Sequence, residues 1–250
     1  MQPFISFEDK VILVTGASVG IGQQTAILLS QLGAKIILLA TNEDKLVKTL
    51  SLLEGNGHNY FCYNLANIDN IESKVKEMVK QCGKIDGFVN CVGIRSRRPI
   101  SLLSPKEIKN VMDINFGSFI ELIRCITKKG HFNEGLSIVG VSSIASHIGG
   151  VSVTAYAASK AAVEAAVRCL SKELAPKNIR LNTVVPAQIN TPEYANLLQM
   201  NGGVDTVLNR QYLGLGEATD VANAIAFLLS PAAKFITGIS LPVDGGYLTS

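Results

Sequence analysis

The chain has 250 residues, of which 47% are hydrophobic and 17% are charged, and its formal net charge is +3 at pH 7. This composition excludes an intrinsically disordered chain, because enough apolar side chains are present to form a core. The small net charge, without any run of more than two Lys or Arg residues, argues against nucleic acid as a partner. The length is compatible with a single α/β domain.

Residues 1–10 lack both the basic start and the long apolar segment of a signal peptide, and no apolar run approaches the ~18 residues that span a bilayer. We therefore expect a cytoplasmic protein with no membrane partner. The cysteines form no C-x-x-C pair and the histidines have no ligand spacing, so we expect reduced thiols and no metal site. These residues are Cys62, Cys82, Cys91, Cys125, Cys169, His58, His131 and His147.

The first predicted elements are a buried strand at residues 11–14, a glycine-rich turn, and an amphipathic helix. A turn of this kind lets the backbone approach phosphate groups, and the helix N-terminus attracts their negative charge. The pattern therefore predicts a site for a dinucleotide pyrophosphate, although a glycine-rich turn without a ligand is the alternative. The predicted pyrophosphate contacts are Gly16, Ser18, Val19, Gly20, Ile21 and Gly22.

Strands and helices alternate through the rest of the chain. Further strands are predicted at residues 35–39, 60–63, 87–90, 136–141, 179–185 and 240–243, and further helices at 44–53, 68–82, 105–127, 155–174 and 219–229. This alternation predicts one Rossmann-type domain over residues 1–250, a doubly wound α/β fold whose seven-stranded parallel sheet has helices on both faces. Residues 93–104 and 188–216 look irregular, and we expect the second segment to be a substrate lid.

A tyrosine and a lysine at i and i+4 on the predicted helix 155–174 suggest acid–base chemistry. Tyr156 and Lys160 lie one turn apart, so the ammonium could lower the pKa of the phenol, which is ordinarily about 10. The hydroxyl of Ser143, from another strand, could then hold a carbonyl oxygen where the phenol can protonate it. An exposed Tyr and Lys on an ordinary helix is the alternative interpretation.

Several motifs in order resemble those of the short-chain dehydrogenase/reductase family. They are residues 15–22, residues 90–93, Asn115, Ser143, Tyr156 with Lys160, residues 186–191 and residues 243–246. The chain is similar to the compact branch of about 250 residues, and most like the β-ketoacyl-carrier-protein reductases. The resemblance implies reversible hydride transfer between a nicotinamide cofactor and a carbonyl or secondary alcohol.

The resemblance also implies a role for each matching residue. Tyr156 would be the general acid or base, Lys160 would lower its pKa and bind the nicotinamide ribose, and Ser143 would orient the carbonyl. Ser142 is the rival of Ser143, and the thirteen-residue spacing to Tyr156 favours Ser143. Asn115 would hold a water through its backbone carbonyl. The other implied cofactor contacts are Asn64, Leu65, Asn90, Gly93, Ile189 and Thr191.

Three motifs depart from the family pattern without removing a catalytic group. The usual Asn-Asn-Ala-Gly is Asn90-Cys91-Val92-Gly93, the usual Asp near adenine is Asn64, and the usual Pro-Gly ends in Ala187. The cofactor choice depends on the end of the second strand, where an NAD enzyme places an acid. Residues 39–42 contain none, and Thr41 and Asn42 could donate to a 2′-phosphate. We therefore expect NADP(H), with NAD(H) as the alternative.

The substrate is less well defined than the reaction. Arg95, Arg97 and Arg98 form either a solvated loop or a cationic wall for an anionic substrate, and Lys128, Lys129 and Lys177 leave an acyl-carrier-bound substrate open. A dinucleotide sensor or scaffold and a sugar epimerase or dehydratase stay open as alternative functions. The alanine-rich helix surface at 155–167, together with the resemblance, implies a homotetramer, with a dimer as the alternative.

Overall fold

A computed structural model describes residues 5–200 and 208–249, and its centre is a seven-stranded parallel sheet. The strands lie in the order β3-β2-β1-β4-β5-β6-β9, and the order reverses between β1 and β4. Their bounds are β1 Val11–Thr15, β2 Lys35–Ala40, β3 Asn59–Cys62, β4 Ile85–Asn90, β5 Phe132–Val141, β6 Arg180–Pro186 and β9 Ser240–Val243. The doubly wound α/β fold predicted from the sequence is therefore confirmed.

Helices cover both faces of this sheet, because adjacent strand residues point to opposite sides and both sides are apolar. Leu13 and Phe88 pack with α3, α5 and α6, whereas Ile12 and Val89 pack with α1, α2 and α8. The helices are α1 Gly20–Gln31, α2 Glu43–Leu50, α3 Ile71–Cys82, α4 Pro105–Met112, α5 Ser118–Ile126, α6 Thr154–Leu174, α7 Pro192–Met200 and α8 Ala218–Leu229. Among the described residues, none of the helices is long and apolar enough to cross a bilayer.

The predicted helix 105–127 is not one regular helix. It begins with Ser104, whose Oγ accepts a hydrogen bond from the Glu107 backbone N–H, but a π-helical turn at Asp113–Gly117 separates α4 from α5. A π turn of this kind re-aims the side chains that it carries and is frequent at functional sites. Asn115, one of the predicted site residues, lies in it.

The segment predicted to be irregular, residues 188–216, contains regular structure in its described part. Two short strands, β7 Ile189–Asn190 and β8 Gly216–Glu217, pair in parallel, and α7 begins directly after Thr191. Strands of two residues carry no periodic pattern, so they could not be predicted from the sequence. Gly202, Gly203, Val204 and Val207 of the predicted lid lie outside the described residues.

Candidate active site

A cavity of about 750 Å³ lies beyond the carboxyl ends of the strands, beside the point where the strand order reverses. This is where ligands bind in open α/β sheets. Most of the residues predicted for the site line it: Gly16, Ser18, Val19, Gly20, Ile21, Gly22, Thr41, Asn64, Leu65, Gly93, Ser143, Tyr156, Lys160, Ile189 and Thr191. The predicted residues Asn42, Asn90 and Asn115 do not.

The glycine-rich loop after β1 fits a dinucleotide pyrophosphate. Gly16 and Gly20 have φ values of +67° and +58°, which favour glycine. A Cβ on Gly22 would lie 2.3 Å from the carbonyl oxygen of Gly16, so this close approach also requires glycine. Helix α1 has no acidic residue in its first turn and no side-chain cap, which leaves its N-terminal N–H groups available to an anion.

Two of the predicted cofactor residues have structural partners instead of facing the cavity. Asn90 is buried, and its Oδ1 accepts a 2.7 Å hydrogen bond from the Thr15 hydroxyl, which joins β4 to β1 beneath the loop. The Oδ1 of Asn42 accepts from the Lys45 backbone N–H and caps α2. These partners use the Oδ1 atoms of both residues, and the predicted contacts of Asn42 and Asn90 with the cofactor stay predictions.

Tyr156 and Ser143 lie together in the cavity. Burial raises the pKa of the Tyr156 phenol, and a negative charge on Glu193 acts in the same direction. The hydrogen bond with the Ser143 hydroxyl and the positive charge of Arg95 lower that pKa. Ser142, the alternative to Ser143, also lines the cavity, but its hydroxyl donates to the Glu164 carboxylate over 2.5 Å. Ser143 is thus the serine that contacts the phenol.

Lys160 lies deep in the cavity, where its ammonium donates a 2.8 Å hydrogen bond to the Val141 carbonyl oxygen. Burial lowers the pKa of this lysine to about 8. Its Nζ is 5.9 Å from the centre of the Tyr156 ring. We expected Lys160 to lower the pKa of Tyr156, but the groups that do so here are Ser143 and Arg95. The Lys160 ammonium donates to a backbone carbonyl, which gives this buried charge a partner, and its predicted effect on the pKa of the phenol stays a prediction.

Asn115 connects the π turn to the loop after β4. Its Oδ1 accepts from the Ile94 backbone N–H over 2.7 Å, and its Nδ2 donates to the Ile94 carbonyl and to Ser159 Oγ. The side chain is fully buried, so it does not contact a ligand. The structure therefore supports a positioning role for this side chain, which holds the loop against the helix of Tyr156. Its predicted water-binding role concerns the backbone carbonyl and stays a prediction.

A buried carboxylate beneath Ser143 was missed by the sequence reasoning. Glu164 Oε1 accepts 2.5 Å hydrogen bonds from the hydroxyls of Ser142 and Ser146, and Oε2 lies 2.9 Å from His147 Nε2. Ser146 Oγ also lies 2.5 Å from the backbone carbonyl oxygen of Ser143, so its single hydroxyl proton is shared between this oxygen and Glu164. One signal was available, since Glu164 follows Lys160 by four residues and so shares its helix face.

Charged side chains surround the mouth of the cavity. The Arg95 guanidinium carbon lies 5.7 Å from the centre of the Tyr156 ring. Arg97 also lines the cavity, whereas Arg98 does not and instead pairs with Glu107 at 3.0 Å. Glu193, in the first turn of α7, is the acidic residue among the described lining. Of the three arginines, Arg95 is thus the one beside the phenol.

Away from the cavity, Glu72, Glu121 and Cys125 bring three metal-binding atoms close together. Arg124 and Lys128 both contact the Glu72 carboxylate, at 2.9 and 2.7 Å, and Arg124 also contacts Glu121. These cations lower the pKa of Glu72, because they stabilise its charged form. The group is therefore an ion-pair network on the protein surface.

A parallel doubly wound sheet, a glycine loop shaped for a pyrophosphate and a Ser–Tyr–Lys cluster at the switch point together define a dinucleotide-dependent enzyme. A family model described as enoyl-(acyl carrier protein) reductase matches residues 16–248. The chain belongs to the short-chain dehydrogenase/reductase family, and it is an NAD(P)-dependent oxidoreductase acting on CH–OH or C=O groups.

Named relatives cover nearly the whole chain. A 3-oxoacyl-acyl-carrier-protein reductase from Thermotoga maritima is 35% identical over 96% of this chain and 98% of its own length. A cyclopentanol dehydrogenase from Comamonas sp. is 32% identical over 96% and 97%. A structure described as a short-chain glucose/ribitol dehydrogenase from Brucella melitensis is 31% identical, with a TM-score of 0.90 and coverage of 97% and 98%.

Proposed function

We propose that this protein is an NADP(H)-dependent carbonyl reductase that also catalyses the reverse oxidation, with Tyr156 as its general acid or base. The observation that carries the proposal is the shared cavity of Ser143, Tyr156, Lys160 and the glycine loop. A dinucleotide sensor has no need of a phenol held by a serine in this way. An epimerase or dehydratase is less well supported, since the sheet and its helices occupy most of the described chain.

The bound cofactor would supply or accept the hydride, and the protein would handle the oxygen and its proton. Ser143 is placed to donate to the carbonyl oxygen and to orient it toward the phenol. Tyr156 would give its proton to that oxygen as the hydride reaches the carbon. Because burial raises the pKa of Tyr156, the phenol is protonated at neutral pH, as reduction requires. Lys160, one turn below, would contact the nicotinamide ribose and return a proton to the phenol.

The preference for NADP(H) is supported by the end of β2. Ala40 and Thr41 line the cavity there, and no carboxylate follows that would repel a 2′-phosphate. The nearest acid along the chain, Glu43, accepts a hydrogen bond from the Tyr60 hydroxyl and is outside the lining. Fluorescence titration should show tighter binding of NADPH than of NADH, and Ala40→Asp should reverse this order. Tighter NADH binding by the wild type would contradict the proposal.

The reaction is tested with Tyr156→Phe, which keeps the ring and removes the proton. Oxidation of NADPH should be followed with ketones, ketoacyl thioesters and keto-sugars, and the variant should lose about 10²–10⁴-fold in kcat on any accepted substrate. Its affinity for NADPH should change little. Tyr194→Phe is the matched control, because it removes a hydroxyl from another tyrosine of the same cavity. Near-normal turnover by Tyr156→Phe would refute the assignment.

A ketoacyl thioester is one substrate class that relatives support, since several of them are 3-oxoacyl-acyl-carrier-protein reductases.

We further propose a homotetramer, with residues 188–216 as the lid of the cavity. Light scattering that gives a monomer mass of 26.7 kDa at micromolar concentration would contradict the assembly. A cytoplasmic location stays a prediction, which cell fractionation would test.

A further inference from the structure

The part of the cavity around Tyr156 is more cationic than a neutral carbonyl substrate requires. Besides Lys160, the arginines Arg95, Arg97 and Arg210 line the cavity. Glu193 carries the only carboxylate among the described lining residues, and Arg210 donates to the Tyr247 hydroxyl. A cavity with this balance of charge attracts anions and raises their local concentration.

Arg95 is the arginine whose charge acts on the reacting groups. Its guanidinium carbon is 5.7 Å from the centre of the Tyr156 ring, and its positive charge lowers the pKa of the phenol. Arg98, three residues further on, is committed to Glu107 and lies outside the cavity. The same loop thus carries Arg95 beside the phenol and Arg98 on the surface, which makes a natural comparison.

The position of Arg95 limits where an anionic group could lie in the substrate. A carbonyl oxygen held by Ser143 and Tyr156 places the neighbouring substrate atoms close to the guanidinium, which can bind a carboxylate or phosphate through two parallel hydrogen bonds. Glu193 would repel the same group from the α7 side, because its charge also reaches Tyr156 and Lys160. The anion is therefore directed to the Arg95 side of the phenol.

The lysines that suggested a carrier protein lie elsewhere. Lys128 and Lys129 lie shortly before β5, and Lys177 lies shortly before β6, so all three are at the amino ends of the strands. The cavity is at the opposite edge of the sheet. Lys128 is also paired with Glu72 at 2.7 Å. Within one chain, the cations nearest the reacting oxygen are those inside the cavity.

We propose that Arg95 is a specificity-determining residue that binds an oxyanion, a carboxylate or a phosphate, attached close to the substrate carbonyl. A short 2-oxo or 3-oxo acid and a phosphorylated hydroxyketone both have this arrangement. The inference rests on the proposed carbonyl reductase function and deepens it by naming the substrate class.

The test compares Arg95→Gln with Arg98→Gln, which remove the same charge from the same loop. Reduction by NADPH is measured with two matched pairs: acetoacetate and ethyl acetoacetate, then dihydroxyacetone phosphate and dihydroxyacetone. The measured quantity is the ratio of kcat/KM for the anionic member to that for the neutral member. We expect a wild-type ratio above one in at least one pair. In Arg95→Gln it should fall by about 10- to 100-fold, the size of a lost charge-assisted interaction. Arg98→Gln should keep the wild-type ratio.

Calorimetric titration of acetoacetate and of dihydroxyacetone phosphate into the enzyme with NADP⁺ gives a second readout that needs no turnover. Binding by wild type and Arg98→Gln, with at least tenfold weaker binding by Arg95→Gln, supports the inference, and the pair affected tells a carboxylate from a phosphate. An unchanged ratio or affinity in Arg95→Gln, an equal loss in Arg98→Gln, or no anion binding by the wild type overturns it. If the wild type binds the anion but reduces none of the carbonyl panel, the proposed function fails instead.

Discussion

The glycine loop after β1 and the charged loop after β4 line the same cavity, but they offer a ligand different things. The first presents backbone: Gly16, Gly20 and Gly22 bring main-chain atoms to the surface, and the N-terminus of α1 supplies the positive field. The second presents side chains, with Arg95 beside the phenol and Arg97 in the same wall.

The difference shows how one fold can keep a cofactor and change its substrate. Where the contacts to a ligand come from the backbone, only substitutions that change the path of the chain alter them. Such a site therefore tolerates few substitutions. A site made of exposed side chains on a loop can change its charge without disturbing the sheet. Substitutions should therefore have large effects on stability and cofactor binding in the first region, and selective effects on chemistry in the second.

The largest effect is expected for Gly22→Ala, which tests the backbone-built region, the glycine loop at residues 16–22. The new Cβ would lie 2.3 Å from the Gly16 carbonyl oxygen, so the loop and α1 must separate. We expect a loss of about 3 kcal/mol or more in the free energy of unfolding. NADPH affinity should fall at least tenfold. Thermal unfolding and fluorescence titration measure the two effects.

The matched control is Gly149→Ala, in the part of the cavity formed after β5. A Cβ there meets no atom within 4 Å, and stability and NADPH affinity should stay near wild type. If both alanine variants behave alike, the proposed contrast between the two regions is wrong.

The sequence revealed the backbone-built region more completely than the side-chain-built region, for a physical reason. Residues 16–22 are contiguous, and their strand–turn–helix context is local, so a single pattern specified the loop. The Glu164 network joins residues of α6 to the segment after β5, and only the fold brings them together. The structural partners of Asn42 and Asn90 could not be predicted, because a short amide serves equally well as a ligand contact, a helix cap or a strand partner.

A second, smaller effect concerns the pH dependence of stability that Lys160 causes. This residue lines the cavity that both loops share. Burial lowers its pKa from 10.5 to about 8, so the folded protein gives up this proton at lower pH than the unfolded chain does. The free energy of unfolding should therefore rise as the pH increases from about 8 to about 10.5. This gain is lost as the pH falls back to 8, because the lysine is then protonated in both states. Relative to Lys160→Met, the wild type should gain about 3 kcal/mol across this window.

Urea unfolding at several pH values measures this difference. Lys172→Met, an exposed lysine on the same helix, is the control and should show the same pH dependence as the wild type. A constant stability difference between Lys160→Met and wild type across the window would mean that Lys160 stays charged in the folded protein.

Glu164→Gln tests whether turnover depends on the hydrogen bonds that Glu164 accepts from the segment around Ser143. The substitution keeps the shape but removes the charge that accepts from Ser142, Ser146 and His147. Because these bonds hold the backbone on both sides of Ser143, kcat should fall by roughly tenfold, with NADPH affinity within about twofold of wild type. Steady-state kinetics and cofactor titration separate the two. An equal loss of both would indicate general damage to the fold.

The smallest effect is expected for Glu193→Gln, in the side-chain-built region. The Glu193 carboxylate raises the pKa of both Tyr156 and Lys160, because a nearby negative charge favours their protonated forms. Removing it should lower both pKa values, so the pH above which alcohol oxidation becomes fast should fall by less than about one unit, since the group is exposed and screened. A pH profile of kcat/KM for oxidation measures the shift. Glu173→Gln, which removes an exposed carboxylate on α6 that does not line the cavity, should leave the profile unchanged. A shift to higher pH in Glu193→Gln would mean that this carboxylate acts on the substrate or cofactor and not through the field that it places on the phenol.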